Sequence, residues 1–150
     1  MRLGAFVCSL LMLGALPPAL AADDAARADA IAEAERRAVR GVIESQLKAF
    51  ADGRAAAAFA HATPAIRAQF HDAATFMTMV RGSYPMLIKP AAVSFFQPEW
   101  RDGTLVQGVQ LRDRDGRLWR AVYQLERDAG GRGWRIGGCA VAPDRESATS

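Results

Sequence analysis

Midway along this chain the hydrophobic period changes, and that change restricts the folds open to it. In "IAEAERRAVRGVIESQLKAFADG" (31–53) Val39, Ile43, Leu47 and Phe50 recur at spacings of four, four and three residues, the period of a helix with one apolar face. From residue 91 onward, "AAVSFFQPEW" and "TLVQGVQLRDRDGRLWRAVYQLERDAGGRGWRIGGCAVA" alternate instead, with Asp115-Gly116 and Ala129-Gly130-Gly131 marking hairpin turns. Trp119, Ala121, Tyr123 and Leu125 then share one strand face, and Arg120, Gln124 and Glu126 the other. Helices first and antiparallel strands afterwards predict an α+β domain, its helices packed on one side of a curled sheet.

The helical half subdivides at its own punctuation. Asp52-Gly53 stops the first helix, and "RAAAAFAHA" reads as a short second one. Thr63-Pro64 opens "TPAIRAQF", with a capping residue before proline at the first helical position. Asp72 caps "DAATFMTMVRG", in which Phe76, Met79 and Val80 lie on one face and Gly82 is expected to end the run. Glu44 and Lys48 are placed for an i, i+4 ion pair. Gly41 inside the first helix costs about 1 kcal/mol relative to alanine, which implies either close packing or a tolerated defect.

The N-terminus, "MRLGAFVCSLLMLGALPPALAADD", runs from one basic residue through an apolar stretch to Pro17-Pro18 and small residues. This is the order of a secretory signal peptide over 1–22, with cleavage expected after Ala21 or Ala22, and it implies a periplasmic or secreted protein. The stretch is too short to persist as a membrane span, so no stable span is expected after processing. A flexible leader (23–30), a single domain (31–143) and a disordered tail (144–150) follow. Without Arg2, 18 basic residues face 16 acidic ones, a net charge of +2. Arginines crowd between Arg112 and Arg135, but Asp113, Asp115, Glu126 and Asp128 are interleaved, which argues against a nucleic-acid partner. Cys8 leaves with the signal, so Cys139 becomes a lone thiol and no internal disulfide is expected.

The order "VIESQLKAF", "AAFAHATPAIRAQF", "FMTMVRGSYPML", "VQGVQL", "DGRLWRAVYQL" and "GWRIGGC" resembles a bacterial secreted family of unknown function. That family is itself similar to the nuclear transport factor two-like, cystatin-like superfamily, and the resemblance runs from about Val42 to Cys139. It implies a cone: a long first helix wrapped by a strongly curved antiparallel sheet, with a pocket whose mouth is framed by the shorter helices. The same cone serves isomerases, dehydratases, hydrolases, transport adaptors and plain binding modules, so it does not select a function. Enzymes of that superfamily place an Asp, His or Tyr general acid or base inside the cone, and this chain shows no clear counterpart.

Polar groups on apolar stripes are the more informative candidates. Gln46 adjoins the stripe of Val39, Ile43, Leu47 and Phe50; Tyr123 lies on the Trp119 face; Gln107 alternates with Leu105, Val109 and Leu111. Buried amides and phenols need partners, so these groups either bond one another or line a ligand cavity. Gln46, Phe50, Gln107, Trp119 and Tyr123 are therefore the expected pocket, with Tyr84, before Pro85, at its mouth or as a packing residue. His61 and His71 lack the further ligands that a metal site requires, so neither metal nor cofactor is expected. Cys139 sits among Gly137, Gly138, Ala140 and Val141, surroundings that raise a thiol pKa, and a Gly-Gly bulge is expected to decide whether it faces the core.

Three functional readings follow. The first is a cone-fold domain that binds a small, largely apolar ligand and is either non-catalytic or weakly catalytic. The second is a module that homodimerises, or docks an envelope protein, through the outer sheet face. The third is a hydrolase or isomerase that uses His71, Tyr84 or Cys139.

Overall fold

The computed structural model describes residues 18–145, with side-chain environments from Glu33 to Arg145. Residues 1–17 and 146–150 lie outside the described residues, and with them most of the expected signal peptide and of the expected tail. The expected cleavage point and leader fall where the backbone alone is described. From Glu33 onward the chain forms one compact unit.

The first helix, α1 (Pro18–Ala51), carries the stripe read from the sequence. Val39 and Ile43 are fully buried and Leu47 and Phe50 nearly so, each side chain contributing about 1.5–3 kcal/mol by burial. The helix ends as Asp52-Gly53 requires. Gly53 takes φ +66°, its N–H bonds to Phe50 O (3.1 Å), and Arg54 N reaches back to Ala49 O (2.9 Å), a Schellman closure. The expected Glu44–Lys48 pair is not formed. Arg40 Nε bonds to Glu44 (2.7 Å) and Lys48 to Asp52 (2.9 Å), a shift of one turn toward each end. Arg40 is anchored with its guanidinium 4.8 Å above the Phe95 ring, and Asp52 offers Lys48 a carboxylate at the helix end.

Three short helices follow: α2 (Ala55–Ala60), α3 (Pro64–Phe70) and α4 (Ala73–Ser83). Both caps form as read, Thr63 Oγ1 accepting from Ile66 N (3.4 Å) and Asp72 Oδ1 from Thr75 N (2.7 Å). Gly82 does not end α4, which continues to Ser83. Pro85 stops it instead, by holding Tyr84 out of helical conformation ahead of a 3-10 turn, Pro85–Leu87. Between α3 and α4, Asp72 N bonds to Phe70 O (2.8 Å) across His71, whose φ +67° and ψ −45° are those of a tight γ-turn.

The second half is an open antiparallel sheet of β1 (Ala92–Phe95), β2 (Glu99–Arg101), β3 (Thr104–Arg112), β4 (Leu118–Arg127) and β5 (Trp134–Pro143). The order is β1-β3-β4-β5, and β2 continues the β1 edge along β3 after a break at Phe96–Pro98. The long hairpins repeat one device. Asp113 O and Asp128 O accept from the glycine three residues on, Gly116 and Gly131, both at positive φ, while each aspartate carboxylate bonds turn N–H groups. Asp102-Gly103, also at positive φ, closes the third hairpin.

Alternation holds on the core face, where Leu105, Gln107, Val109 and Leu111 of β3 and Ala121, Tyr123 and Leu125 of β4 are all buried. Their apolar members form one cluster with the α1 stripe and with Phe76, Met77 and Val80 of α4. On β5 the register shifts. Gln124 pairs with Gly138 and Leu125 with Ile136, leaving Gly137 as the extra residue of a bulge. The bulge aligns Cys139 with Tyr123 and keeps Trp134 and Ile136 buried as well. Beside it, His61 O accepts from Ile136 N (2.8 Å) and Thr63 N donates to Ile136 O (2.9 Å), so the α2–α3 link covers that part of the sheet edge.

Candidate functional site

The short helices and the bulge frame a cavity of about 250 Å³ that opens to solvent on one side. Phe50 and Gln46 come from α1, Ile66 and Phe70 from α3, Phe76, Met79 and Val80 from α4, and Ile136 and Cys139 from β5. Each arrives by a local rule described above. The Thr63 cap sets the start of α3, the γ-turn at His71 redirects the chain so that α4 faces α3, and the Gly137 bulge turns Cys139 toward the core face. Phe76 anchors the aromatic side of the site, its ring centroid 6.0 Å from Phe50, 5.5 Å from Phe70 and 5.3 Å from Phe59 in tilted or edge-on geometry. Tyr84 lines the cavity half-buried, and Gln69 is exposed.

Gln46 is 3% exposed, and its amide nitrogen donates to Ala58 O at 3.2 Å. It is both a structural tie from α1 to α2 and a polar element of the cavity wall. Tyr123 and Cys139 form a second polar pair. Tyr123 is fully buried, and among the described residues its hydroxyl lacks a partner with hydrogen-bond geometry. The Cys139 thiol opposite is close enough to act on it both electrostatically and as a weak hydrogen-bond neighbour, short of well-formed geometry. Burial, and then the neighbouring thiol, hold the phenol well above its usual pKa. Burial likewise pushes the Cys139 thiol up to about 12, against a smaller opposing effect of Tyr123, so Cys139 presents a neutral S–H to the cavity.

The six residues singled out from sequence do not assemble in one place. Gln46, Phe50 and Tyr84 line the cavity. Tyr123 stands behind its wall, in contact with it through Cys139. Gln107 and Trp119 lie away from this cavity, each at a different, more polar hollow. The Gln107 amide donates to Phe96 O (2.7 Å) and Gly108 O (2.8 Å), bonding a carbonyl freed where the β1–β2 edge breaks. Pro98, between β1 and β2, was the sequence signal for that break. Trp119 Nε1 donates to Asp113 Oδ2 (2.9 Å), so this ring serves the β3–β4 turn.

The histidines also stay apart. His71 is exposed on its γ-turn, outside the cavity wall, and part-buried His61 has its pKa lowered by burial and then by Arg135. Among the described residues no three His, Cys, Asp or Glu side chains are grouped to hold a metal ion, and no helix is long and apolar enough to cross a membrane. Ile66, Phe70 and Ile136 complete the wall and were not singled out from sequence. The signal for Phe70 and Ile66 was their i, i+4 spacing behind the Thr63 cap. No curated protein matches this chain, and no solved structure does. Residues 32–149, nearly the whole of the compact unit, match the family described as "Domain of unknown function (DUF4864)", and the chain belongs to that family.

Proposed function

We propose that this domain binds a small, largely apolar ligand in the cavity between α1, α3, α4 and β5. In this reading the chain is exported to the periplasm or beyond, cut after Ala21 or Ala22, and folds as a cone of the nuclear transport factor two-like kind. The observation that carries the proposal is the cavity itself, about 250 Å³ and walled mainly by Phe50, Ile66, Phe70, Phe76, Met79 and Val80. Close-packed interiors leave few voids larger than a water molecule, and ligand sites are concave and mostly apolar. The open antiparallel sheet, which carries a bulge and packs with the Val39–Phe50 stretch of α1 in one core, supports the cone.

The other readings draw less support. A hydrolase or isomerase needs an activated group, whereas the Cys139 thiol is held protonated, His71 lies outside the cavity, and Tyr84, which does line it, has among the described residues no His, Asp, Glu, Lys or Arg beside it in the wall to activate it. A docking surface on the outer sheet face would be a broad apolar patch, whereas that face sets Val106, Val122, Ala140 and Ala142 among Gln110, Arg120, Gln124, Glu126 and Arg135. Phe96, which borders it, lies under the Arg120 guanidinium at 4.3 Å.

Native and intact mass spectrometry of the full chain expressed in a bacterium tests the proposal. The expected result is a processed N-terminus and a non-covalent adduct that Met79→Trp, which fills the cavity, removes. An unprocessed chain would refute the export reading. Absence of any adduct, with a melting temperature unmoved by a panel of small apolar compounds, would refute the binding one.

A further inference from the structure

The cavity wall restricts the chemistry of its occupant as well as its size. Among the described residues no Asp, Glu, Lys, Arg or His side chain lines it. Cys139 is a neutral thiol, and neutral Tyr123 lies behind it. A carboxylate, phosphate or ammonium group placed against the inner wall, away from the open mouth, would lose hydration without gaining a counter-charge.

Gln46 adds a direction. Its Nε2 is committed to Ala58 O at 3.2 Å, and it makes no other hydrogen bond among the described residues. That bond fixes which end of the amide is which, because only the nitrogen donates. The acceptor Oε1 is the end left to the cavity that Gln46 lines, on a side chain only 3% exposed. An occupant that donates one hydrogen bond satisfies it, while one that offers only an acceptor meets it acceptor to acceptor.

The aromatic wall and the volume set the rest. Phe76, with Phe50 and Phe70 at 6.0 and 5.5 Å, offers ring edges and faces to a flat partner. An apolar cavity of about 150 Å³ holds benzene, so one of about 250 Å³ holds roughly a fused two-ring system.

We infer that the ligand is an uncharged compound of about two fused rings carrying one hydroxyl or N–H group, which donates to Gln46 Oε1. This inference rests on the ligand-binding reading. Calorimetry of the purified full chain at pH 7 with 1-naphthol, naphthalene and 1-naphthoate tests it. 1-Naphthol is expected to bind about tenfold or more tighter than naphthalene and about a hundredfold tighter than 1-naphthoate. Gln46→Leu is expected to erase the preference for 1-naphthol over naphthalene while retaining naphthalene binding. Gln46→Met repeats the test with a second side chain, and thermal melts confirm that both variants fold; Ala58 O keeps a partner in each, since His61 N donates to it at 3.3 Å. Naphthoate binding as tightly as naphthol would overturn the claim that the ligand is uncharged. Equal binding of naphthol and naphthalene, or a naphthol preference that survives in both Gln46 variants, would overturn the donor contact. If none of the three probes binds while mass spectrometry shows a bound adduct, the two-ring donor inference is overturned and the ligand-binding reading stands; if no adduct is found either, both fail.

Discussion

Tyr123→Phe removes one oxygen from the centre of the core, and the structure sets the sign of the effect. The residue is fully buried, and among the described residues its hydroxyl has no partner in hydrogen-bond geometry beyond a weak interaction with the Cys139 thiol, so the wild type bears most of the desolvation cost of that group, about 1–3 kcal/mol. Phenylalanine keeps the ring and its packing between Gln107 and Cys139, and the void left by a single oxygen costs only a few tenths of a kcal/mol at about 24 cal/mol per Å³. The variant is therefore expected to be more stable by about 1 kcal/mol or more, read as a higher urea midpoint with an unchanged slope. Tyr123→Ala, by contrast, is expected to lose about 3–5 kcal/mol through the cavity it opens.

The same pair gives the fold an alkaline limit. Both Tyr123 and Cys139 have folded-state pKa values raised above their ordinary values of 10.0 and 9.0, so folding favours the neutral forms. Their contribution is fully present below pH 9 and is lost as pH rises from there toward about 12, because the unfolded chain ionises first. In Tyr123→Phe the decline above pH 10 is expected to be shallower, by up to about 1.4 kcal/mol per pH unit. A Tyr123→Phe variant less stable than wild type by 1 kcal/mol would refute the reasoning. It would mean that the hydroxyl has a strong partner, and a double-mutant cycle with Cys139→Ala would show whether that partner is the thiol.

Three further outcomes test other parts of the fold. Gly41→Ala in α1 is expected to add about 1 kcal/mol, read as a rise of several degrees in melting temperature, because a Cβ there meets no atom within 4 Å; a loss would show close packing at that point. His71→Gly is expected to stabilise by about 1 kcal/mol by relieving a backbone that side chains rarely adopt, and destabilisation in urea melts would show that the imidazole itself supports the α3–α4 turn. In the folded protein at pH 8, Cys139 is expected to react with a thiol reagent about a thousandfold more slowly than after unfolding, since its pKa moves from 9.0 to about 12; equal rates would place the thiolate in solvent.

The elements were legible because each had a local cause written in nearby residues. The α1 stripe, the Thr63 and Asp72 caps and the alternation of β4 each depend on a period or a single side chain, and all appear as read. The bulge was legible from Gly137-Gly138 for the same reason. What failed were choices between equivalent partners. Glu44 had a cation one turn away on either side, Lys48 and Arg40, and α4 had a stop at Gly82 and another at Pro85. Sequence spacing is silent between such alternatives; Arg40 was selected by a ring on a strand far along the chain, Phe95.

The site was only half legible, and the reason is the direction of the inference. A polar residue on an apolar stripe signals a buried polar group, and such a group is satisfied by whichever acceptor lies nearest, most often the backbone. Gln107 shows this: its amide serves Phe96 O and Gly108 O at a strand break, so its burial reports a defect in the sheet edge, beside a polar groove with Arg36 and Arg40, rather than the apolar cavity. Gln46 follows the same rule through Ala58 O, yet still reaches the cavity because α2 is too short to fill the space beside it and leaves the wall to α3 and α4. A cavity is set by the space between elements, and that space depends on the angle at which two short helices meet. Here that angle turns on His71, held in a conformation that nothing in its sequence neighbourhood announces.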